Sequence, residues 1–254
     1  IKRSHAFGEM MVIFVTVSDR WPGKEQLVQT LQDRCPEVVS WVHNVNPGRK
    51  QILGPKFKLI AGQDRIRERL GSLTFLLSPP AFFQVNSQQA AVLYEKAVEY
   101  AGLSGRETVF DLYCGTGTLS LFLAQKAAYV YGVEAVPEAI EDAKANASHN
   151  GIGNVQFLAG EVERVLPRLA ARNIKPDVVV LDPPRQGATP PVLQAIAELS
   201  PRSLVYVSCD PATLARDLGQ LQEQGYRALE VQPVDMFPQT HHVETVVLLS
   251  HQRT

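Results

Sequence analysis

From about residue 107 onward the chain alternates apolar, strand-like runs with helical segments, and this rhythm constrains the fold more than any other feature. The strand candidates are ETVFDLY, AYVYGVE, NVQFLAG, DVVVLDPP and SLVYVSCD, and helices are expected near residues 119–126, 137–149, 192–199 and 211–224. Such alternation predicts an α/β fold, a mostly parallel sheet with helices on both faces. After the last helix, RALEVQPVDMF and HVETVVLLS follow one another with no helix between them. Two strands joined in that way are expected to form an antiparallel hairpin at the end of the sheet.

Residues 1–77 read as a separate, smaller α/β unit. MMVIFVTV is a strand, KEQLVQTLQDRC has helical spacing through Leu27, Val28 and Leu31, VVSWVHNVN is a second strand, and NPGRKQILGP is a turn-rich connection. SPPAFFQVN, Ser78 to Asn86, acts as a hinge into a second domain, 78–254, because its proline pair stops regular structure. Asn86 with Gln89 is placed to cap a helix over 87–101, whose Ala90, Leu93, Tyr94, Ala97, Val98 and Ala101 form one core-facing stripe. Phe82 and Phe83 are expected in the core. The N-terminal run alternates, contains Glu9 and lacks a small-residue cleavage site, so it reads as a strand and not a signal peptide. A first residue of Ile rather than Met raises the expectation of a piece from a longer chain, with an N-terminal module missing.

A hydrophobic fraction of 45% and a charged fraction of 20% over 254 residues suit a globular protein with a sizeable core. No run of eighteen apolar residues occurs, so no membrane span is expected. The net charge of −1 does not advertise nucleic-acid binding, but its distribution is uneven. Residues 1–70 hold 12 Lys and Arg against 7 Asp and Glu, a balance of +5, and the remainder 13 against 19, or −6. Arg49, Lys50, Lys56, Lys58, Arg65, Arg67 and Arg69 in the basic part either meet phosphates or form a solvated surface. The three cysteines, Cys35, Cys114 and Cys209, are widely spaced without a CxxC pair. A disulfide framework, a metal and an iron–sulfur cluster are therefore not expected in this chain, and a reducing, cytoplasmic setting is.

DLYCGTGTLSLFLA, Asp111 to Ala124, follows a strand and opens a helix. Gly115 and Gly117 let the backbone approach a ligand closely. The third glycine of a dinucleotide fingerprint is absent, and Asp111 lies four residues before the first glycine. An acid at a strand end, three residues and then GxG resembles the first motif of S-adenosylmethionine-dependent methyltransferases. Glu134, ending AYVYGVE, can accept both ribose hydroxyls of a nucleoside; nicotinamide enzymes use such an acid too, so Glu134 does not discriminate.

Ligands of doubly wound sheets bind beyond the carboxyl ends of the strands. Asp111, Glu134, Asp182 and Cys209 each end a predicted strand, and an antiparallel last strand returns His241, His242 and Glu244 to the same edge. The stretch DPPRQG, Asp182 to Gly187, is stiff and poor in donors, a floor for a planar base. Amino-group methyltransferases end the related tetrad in an aromatic residue, whereas Arg185 stands here. Carbon-5 of uracil is a poor nucleophile until a thiolate adds to carbon-6, after which a base must take the carbon-5 proton. Cys209 and Glu244 supply that pair. A free thiol titrates near roughly 8.5, and the N-terminus of the helix beginning near Pro211 is expected to favour the thiolate.

SCDPATLARDL, together with DLYCGTGTLSL, DPPRQG, FFQVN and FPQTHHVETV, resembles the RNA uracil-5 methyltransferase family, which makes 5-methyluridine in ribosomal or transfer RNA. The resemblance implies a Rossmann-like S-adenosylmethionine-dependent methyltransferase domain preceded by a small α/β domain that contacts RNA. It implies Cys209 as nucleophile, Glu244 as base and Asp182 beside the uracil, with Gln84, Asp111, Tyr113, Gly115, Gly117, Thr118, Glu134, Glu161 and Asp182 on the S-adenosylmethionine side. S-adenosylhomocysteine is then the product and RNA the partner, with 23S ribosomal RNA ranked ahead of transfer RNA; no protein partner is expected. RNA cytosine-5 methyltransferases carry a further Cys in the loop that here reads Pro183-Pro184, which favours uridine. Amino-group methylation through the Asp-Pro-Pro loop, and a non-catalytic RNA-binding module, stand as alternatives. Cys114 is read as packing under the glycine loop.

Overall fold

In a computed structural model, which describes residues 1–48 and 51–252, the chain divides into two compact units, Ile1–Phe83 and Gln84–Thr254. Arg49 and Lys50, two of the basic candidates, lie outside the described residues.

The first unit holds a four-stranded sheet built from β1 (Lys2–Arg3), β2 (Met10–Thr16), β3 (Val38–Val45) and β4 (Lys56–Gly62), in that spatial order. Helix α1 (Lys24–Gln32) makes the crossover between parallel β2 and β3, and packs Val28 with Trp41 and Val38. A hairpin, β5 (Ile66–Leu70) with β6 (Leu73–Leu77), completes it. Strands β4 to β6 were not anticipated. In β5 the buried positions are Ile66, Glu68 and Leu70, and the acid in the middle hides the alternation. Glu68 is buried because it accepts hydrogen bonds from the backbone N–H groups of His5 (2.6 Å), Ala6 (3.0 Å) and Arg69 (2.8 Å). The unit ends at Phe83, inside the expected hinge 78–86 and a few residues beyond the expected boundary at 77/78. Lys2 Nζ donates to the carbonyls of Ser78 (2.9 Å) and Ala81, and Phe83 packs on Phe75 at 5.8 Å, so the proline pair stays with the first unit. Phe82, expected in the core, is 76% exposed instead.

The second unit starts with α2 (Ser87–Ala101), whose Asn86 cap accepts from the Gln89 N–H at 3.2 Å. There follow β7 (Thr108–Leu112), α3 (Thr118–Ala124), β8 (Tyr129–Glu134), α4 (Pro137–His149), β9 (Val155–Ala159), α5 (Val162–Ala171), β10 (Val178–Leu181), α6 (Pro190–Leu199), β11 (Ser203–Ser208), α7 (Pro211–Glu223), β12 (Tyr226–Val234) and β13 (Glu244–His251). The sheet order is β12-β13-β11-β10-β7-β8-β9. Strands β7 to β11 are parallel, and β13 is antiparallel to both β11 and β12. Helix α5 went unread because Pro167 interrupts its sequence, yet its Val162, Val165, Leu166 and Leu169 line one buried face.

Side chains alternate across the strands. Phe110, Leu112, Val179, Leu181, Leu204, Tyr206, Val247 and Leu249 join the core under α5, α6 and α7. The other set of strand positions packs against α2, which meets β10, β11 and β13. All four β10 residues are fully buried, each worth about 1.5–3 kcal/mol of apolar transfer.

Gly132 in β8 is required by this packing: a Cβ there would stand 2.6 Å from Phe157 Cδ1 and 3.0 Å from Cys114 Sγ. Gly132→Ala is therefore expected to lower stability by about 1–3 kcal/mol through overpacking, read from urea unfolding. A change within experimental error would show that Phe157 swings aside freely.

Candidate active site

The spatial order of the sheet reverses between β7 and β10, which is where doubly wound sheets leave a crevice beyond the carboxyl ends of their strands. Asp111 lies on β7, Glu134 ends β8, Asp182 follows β10 and Cys209 follows β11. Antiparallel β13 starts at the same edge with Glu244. Ser208 is paired with Thr245, so the next residues along, Cys209 and Glu244, stand opposite each other in the register. Gln84 joins them from the segment before α2, hydrogen-bonded to Tyr94 of that helix.

The glycine loop is held by acids. Glu134 accepts from the N–H of Gly115 (3.1 Å) with one oxygen and from that of Val136 (2.9 Å) with the other, which leaves a lone pair on each. Gly115 has φ +53° and nothing within 4 Å of the place a Cβ would occupy, so it borders open space. Gly117, expected to play the same part, is crowded on its Cβ side. A Cβ on it would meet Phe157 Cζ at 2.8 Å and Ala143 Cβ at 2.9 Å, and its φ is +78°. Its bareness serves packing. Tyr113 leaves β7 with φ +65°, and Thr118 opens α3 with its hydroxyl 3.4 Å from that of Thr116. Glu161, the residue before α5, is exposed at the same edge. Cys114 is buried under the loop, where burial and the Asp111 charge push its thiol well up.

The crevice floor concentrates buried carboxyl groups. Asp111 accepts from Ser120 Oγ at 2.5 Å through Oδ2, while Oδ1 is buried with no partner. Burial pushes this carboxyl up to about 7, with the Glu134 charge adding to it. Asp182, just past the end of β10, is half-buried. Burial, Glu244 and Asp111 push it up to about 8. Glu244, 4% exposed, is raised by burial and drawn back by Arg185. Tyr94, read from the sequence only as a core residue, lies among these three acids, and burial raises its phenol far above the ordinary range.

Cys209 is half-buried. Burial raises its thiol, Glu244 and Asp182 raise it further, and Arg185 opposes them. The expected help from the N-terminus of α7 is thus corrected. The first free N–H groups of that helix, on Ala212 (2.9 Å) and Thr213 (3.0 Å), donate to the Asp210 carboxylate, which neutralises the helix end. His241 and His242 precede Glu244 with rings 4.1 Å apart, and burial, His241 and Arg185 lower the His242 imidazole.

A further group escaped the sequence reading. Asp217 of α7 is fully buried and accepts from the Tyr206 hydroxyl (2.5 Å), the Ala188 N–H (2.8 Å) and Arg216 Nε (2.8 Å). Its signal was an acid on the stripe of Leu214 and Leu221, where a charge needs partners. Among the described residues no cluster of three His, Cys, Asp or Glu is gathered to hold a metal, and no helix is long and apolar enough to cross a membrane.

The raised acids carry a pH signature. Between the ordinary carboxylate range and about 7 to 8, Asp111 and Asp182 hold protons in the folded chain that the unfolded chain has released. The unfolded state then binds fewer protons, so stability falls as pH rises through that window and levels off above it. Asp182→Asn is expected to flatten the decline by at least about 1 kcal/mol, the worth of a single pKa unit, as read from urea midpoints against pH. A curve parallel to that of the unaltered protein would refute the assignment.

Known proteins resemble this chain over most of its length. The family described as tRNA (Uracil-5-)-methyltransferase matches residues 12–252. An RNA methyltransferase of Clostridium tetani is 50% identical over 252 residues, and one of Oceanobacillus iheyensis 48% identical over 251; they cover 99% and 98% of this chain and 55% of each relative. The chain therefore spans about half the length of these curated relatives. The structure of Pyrococcus abyssi tRNA (uracil-54, C5)-methyltransferase in complex with S-adenosyl-L-homocysteine superposes with a TM-score of 0.80 at 32% identity, over 98% of this chain and 58% of that one. The fold is thus that of S-adenosylmethionine-dependent methyltransferases, and over nearly its whole length the chain belongs to the tRNA (uracil-5-)-methyltransferase family.

Proposed function

We propose that this chain carries the catalytic part of an enzyme that methylates carbon-5 of a uridine in RNA, with S-adenosylmethionine as methyl donor. The observation that carries the reading is the opposition of Cys209 and Glu244 across the ends of β11 and β13, beside Asp182. The family supports RNA as substrate. The residues also fit the donor. The buried Asp111 Oδ1, which no protein group satisfies, suits a cationic ligand able to draw the raised carboxyl back to its ionised form, and Gly115 borders the open space such a ligand needs. Asp111, Gly115 and Glu134 would hold it, with Gln84, Tyr113, Thr118, Glu161 and Asp182 around the same edge.

When bound, S-adenosylmethionine supplies the electrophilic methyl group. Cys209 adds as thiolate to carbon-6 of the uracil, and the displaced electron pair makes carbon-5 nucleophilic. Once carbon-5 is methylated, Glu244 removes its proton and the returning electrons expel the thiolate. Burial raises the basicity of Glu244 towards the range a general base needs, and Arg185 keeps it ionisable. Asp182, protonated near neutral pH, is able to donate a hydrogen bond to a uracil carbonyl. The first unit, with its surplus of Lys and Arg, is the proposed second contact with RNA. The three free thiols suit a reducing, cytoplasmic setting.

The test uses ribosomal and transfer RNA substituted with 5-fluorouridine, whose fluorine cannot leave as a proton does. With S-adenosylmethionine, a denaturing gel is expected to show a protein–RNA adduct with one of the two RNA classes, absent in Cys209→Ala. Glu244→Gln is expected to accumulate the adduct on ordinary RNA and to cut turnover by about 10²-fold or more. Methyl transfer that survives Cys209→Ala would overturn the reading in favour of amino-group chemistry at the Asp-Pro-Pro loop.

A further inference from the structure

The loop from Asp182 to Ala188 carries both Asp182 and Arg185, and α7 holds it residue by residue. Thr213 Oγ1 donates to the Arg185 carbonyl at 3.1 Å, and Arg216 Nη2 to the Gln186 carbonyl at 2.7 Å. Asp217 Oδ2 accepts from the Ala188 N–H at 2.8 Å. Between these grips Gly187 sits at φ +77°, where a Cβ would run into Asp217 Oδ2 and stand 2.5 Å from Arg216 Nη2. Thr213, Arg216 and Asp217 are spaced i, i+3, i+4 and so share one face of the helix. That helix begins at Pro211, immediately after Cys209 and Asp210. The Tyr206 hydroxyl, from the strand that ends beside Cys209, donates to the same Asp217 oxygen at 2.5 Å.

A buried carboxylate on an apolar helix stripe is a costly choice. Leucine at 217 would pack with Leu214 and Leu221 at no such cost. What the acid adds is geometry, because its several donors come from β11, from α7 and from the loop, and fix all three together. We propose that Thr213, Arg216 and Asp217 form a positioning clamp that registers the Arg185 loop against the Cys209 turn, and that this register, not the helix N-terminus, sets the reactivity of the thiol. The charged groups acting on Cys209 are Asp182 and Arg185 on the loop and Glu244 on β13, with Asp210 next in the chain; His242, in the segment before β13, answers to the same Arg185. Arg185 is the cation that acts electrostatically on Cys209, Asp210, His242 and Glu244 alike. With two acids raising the thiol, the distance of that one cation decides how much thiolate forms. Only the catalytic consequence rests on the reading of Cys209 as nucleophile; the clamp itself acts on the thiol with or without RNA.

The experiment is alkylation of the full chain by iodoacetamide across a range of pH, followed by mass spectrometry of the Cys209 peptide. Arg185→Gln and Asp217→Asn are expected to displace the profile to higher pH and to slow alkylation near neutral pH by about threefold to tenfold. Arg185→Lys is expected to restore most of the rate. Thr213→Val removes one grip while leaving Arg185, Asp182 and Glu244 in place and is expected to slow alkylation by about twofold, which keeps the test open if Asp217→Asn fails to fold. Profiles that overlay the unaltered one in Arg185→Gln or Thr213→Val overturn the clamp, as does a fall in melting temperature with no displacement. Failure of the uracil-5 reading shows separately, as an unaltered chain that alkylates normally yet forms no adduct with 5-fluorouridine RNA.

Discussion

The antiparallel insertion of β13 between β11 and β12 is the constraint on which the rest of the site depends. A parallel strand in that position would bring its carboxyl end, not its start, to the working edge, and Glu244 would lie at the opposite end of the sheet. Because the strand is reversed, its first residue meets the residue that leaves β11. The proposed nucleophile and the proposed base, thirty-five positions apart in sequence, thus become neighbours through backbone pairing alone, before any side-chain interaction is invoked.

The electrostatics follow from that placement. Asp111, Asp182 and Glu244 crowd the crevice floor; burial raises the proton affinity of each, and Glu244 and Asp111 raise that of Asp182 further. Left to themselves these acids oppose a thiolate at Cys209. Arg185 is the compensating charge, and it stands on the residue position where amino-group enzymes carry an aromatic ring. The departure noticed in the sequence as a weakness of one chemical reading is the feature that suits the other.

Rigidity and openness are divided along the same edge. Gly117 and Gly132 are glycines because Phe157 occupies the space a side chain would take, whereas Gly115 faces an open volume. Glu134 ties the glycine loop through two backbone N–H groups, and Asp217 ties the Asp-Pro-Pro-Arg loop through a buried network. Both of these loops are therefore anchored by a carboxylate.

The sequence by itself determined the alternation of strands and helices after residue 107, the glycine loop and the convergence of Asp111, Glu134, Asp182, Cys209 and Glu244 on one edge. All of these rest on local periodicity and on the handed, parallel character of such sheets, which need no knowledge of packing. Strands β5 and β6 and helix α5 were not legible, because Glu68 and Pro167 break the patterns that local reading uses. Only the tertiary structure decided what those residues do: Glu68 is buried by three backbone donors, Gly117 is bare for Phe157, and the end of α7 is spent on Asp210. It also decided that Asp217 is buried among donors from β11, α7 and the loop after β10. Hydrogen bonds between residues some thirty positions apart carry no signature in the chain that makes them, and the thiol's surroundings are set by those bonds rather than by its own helix.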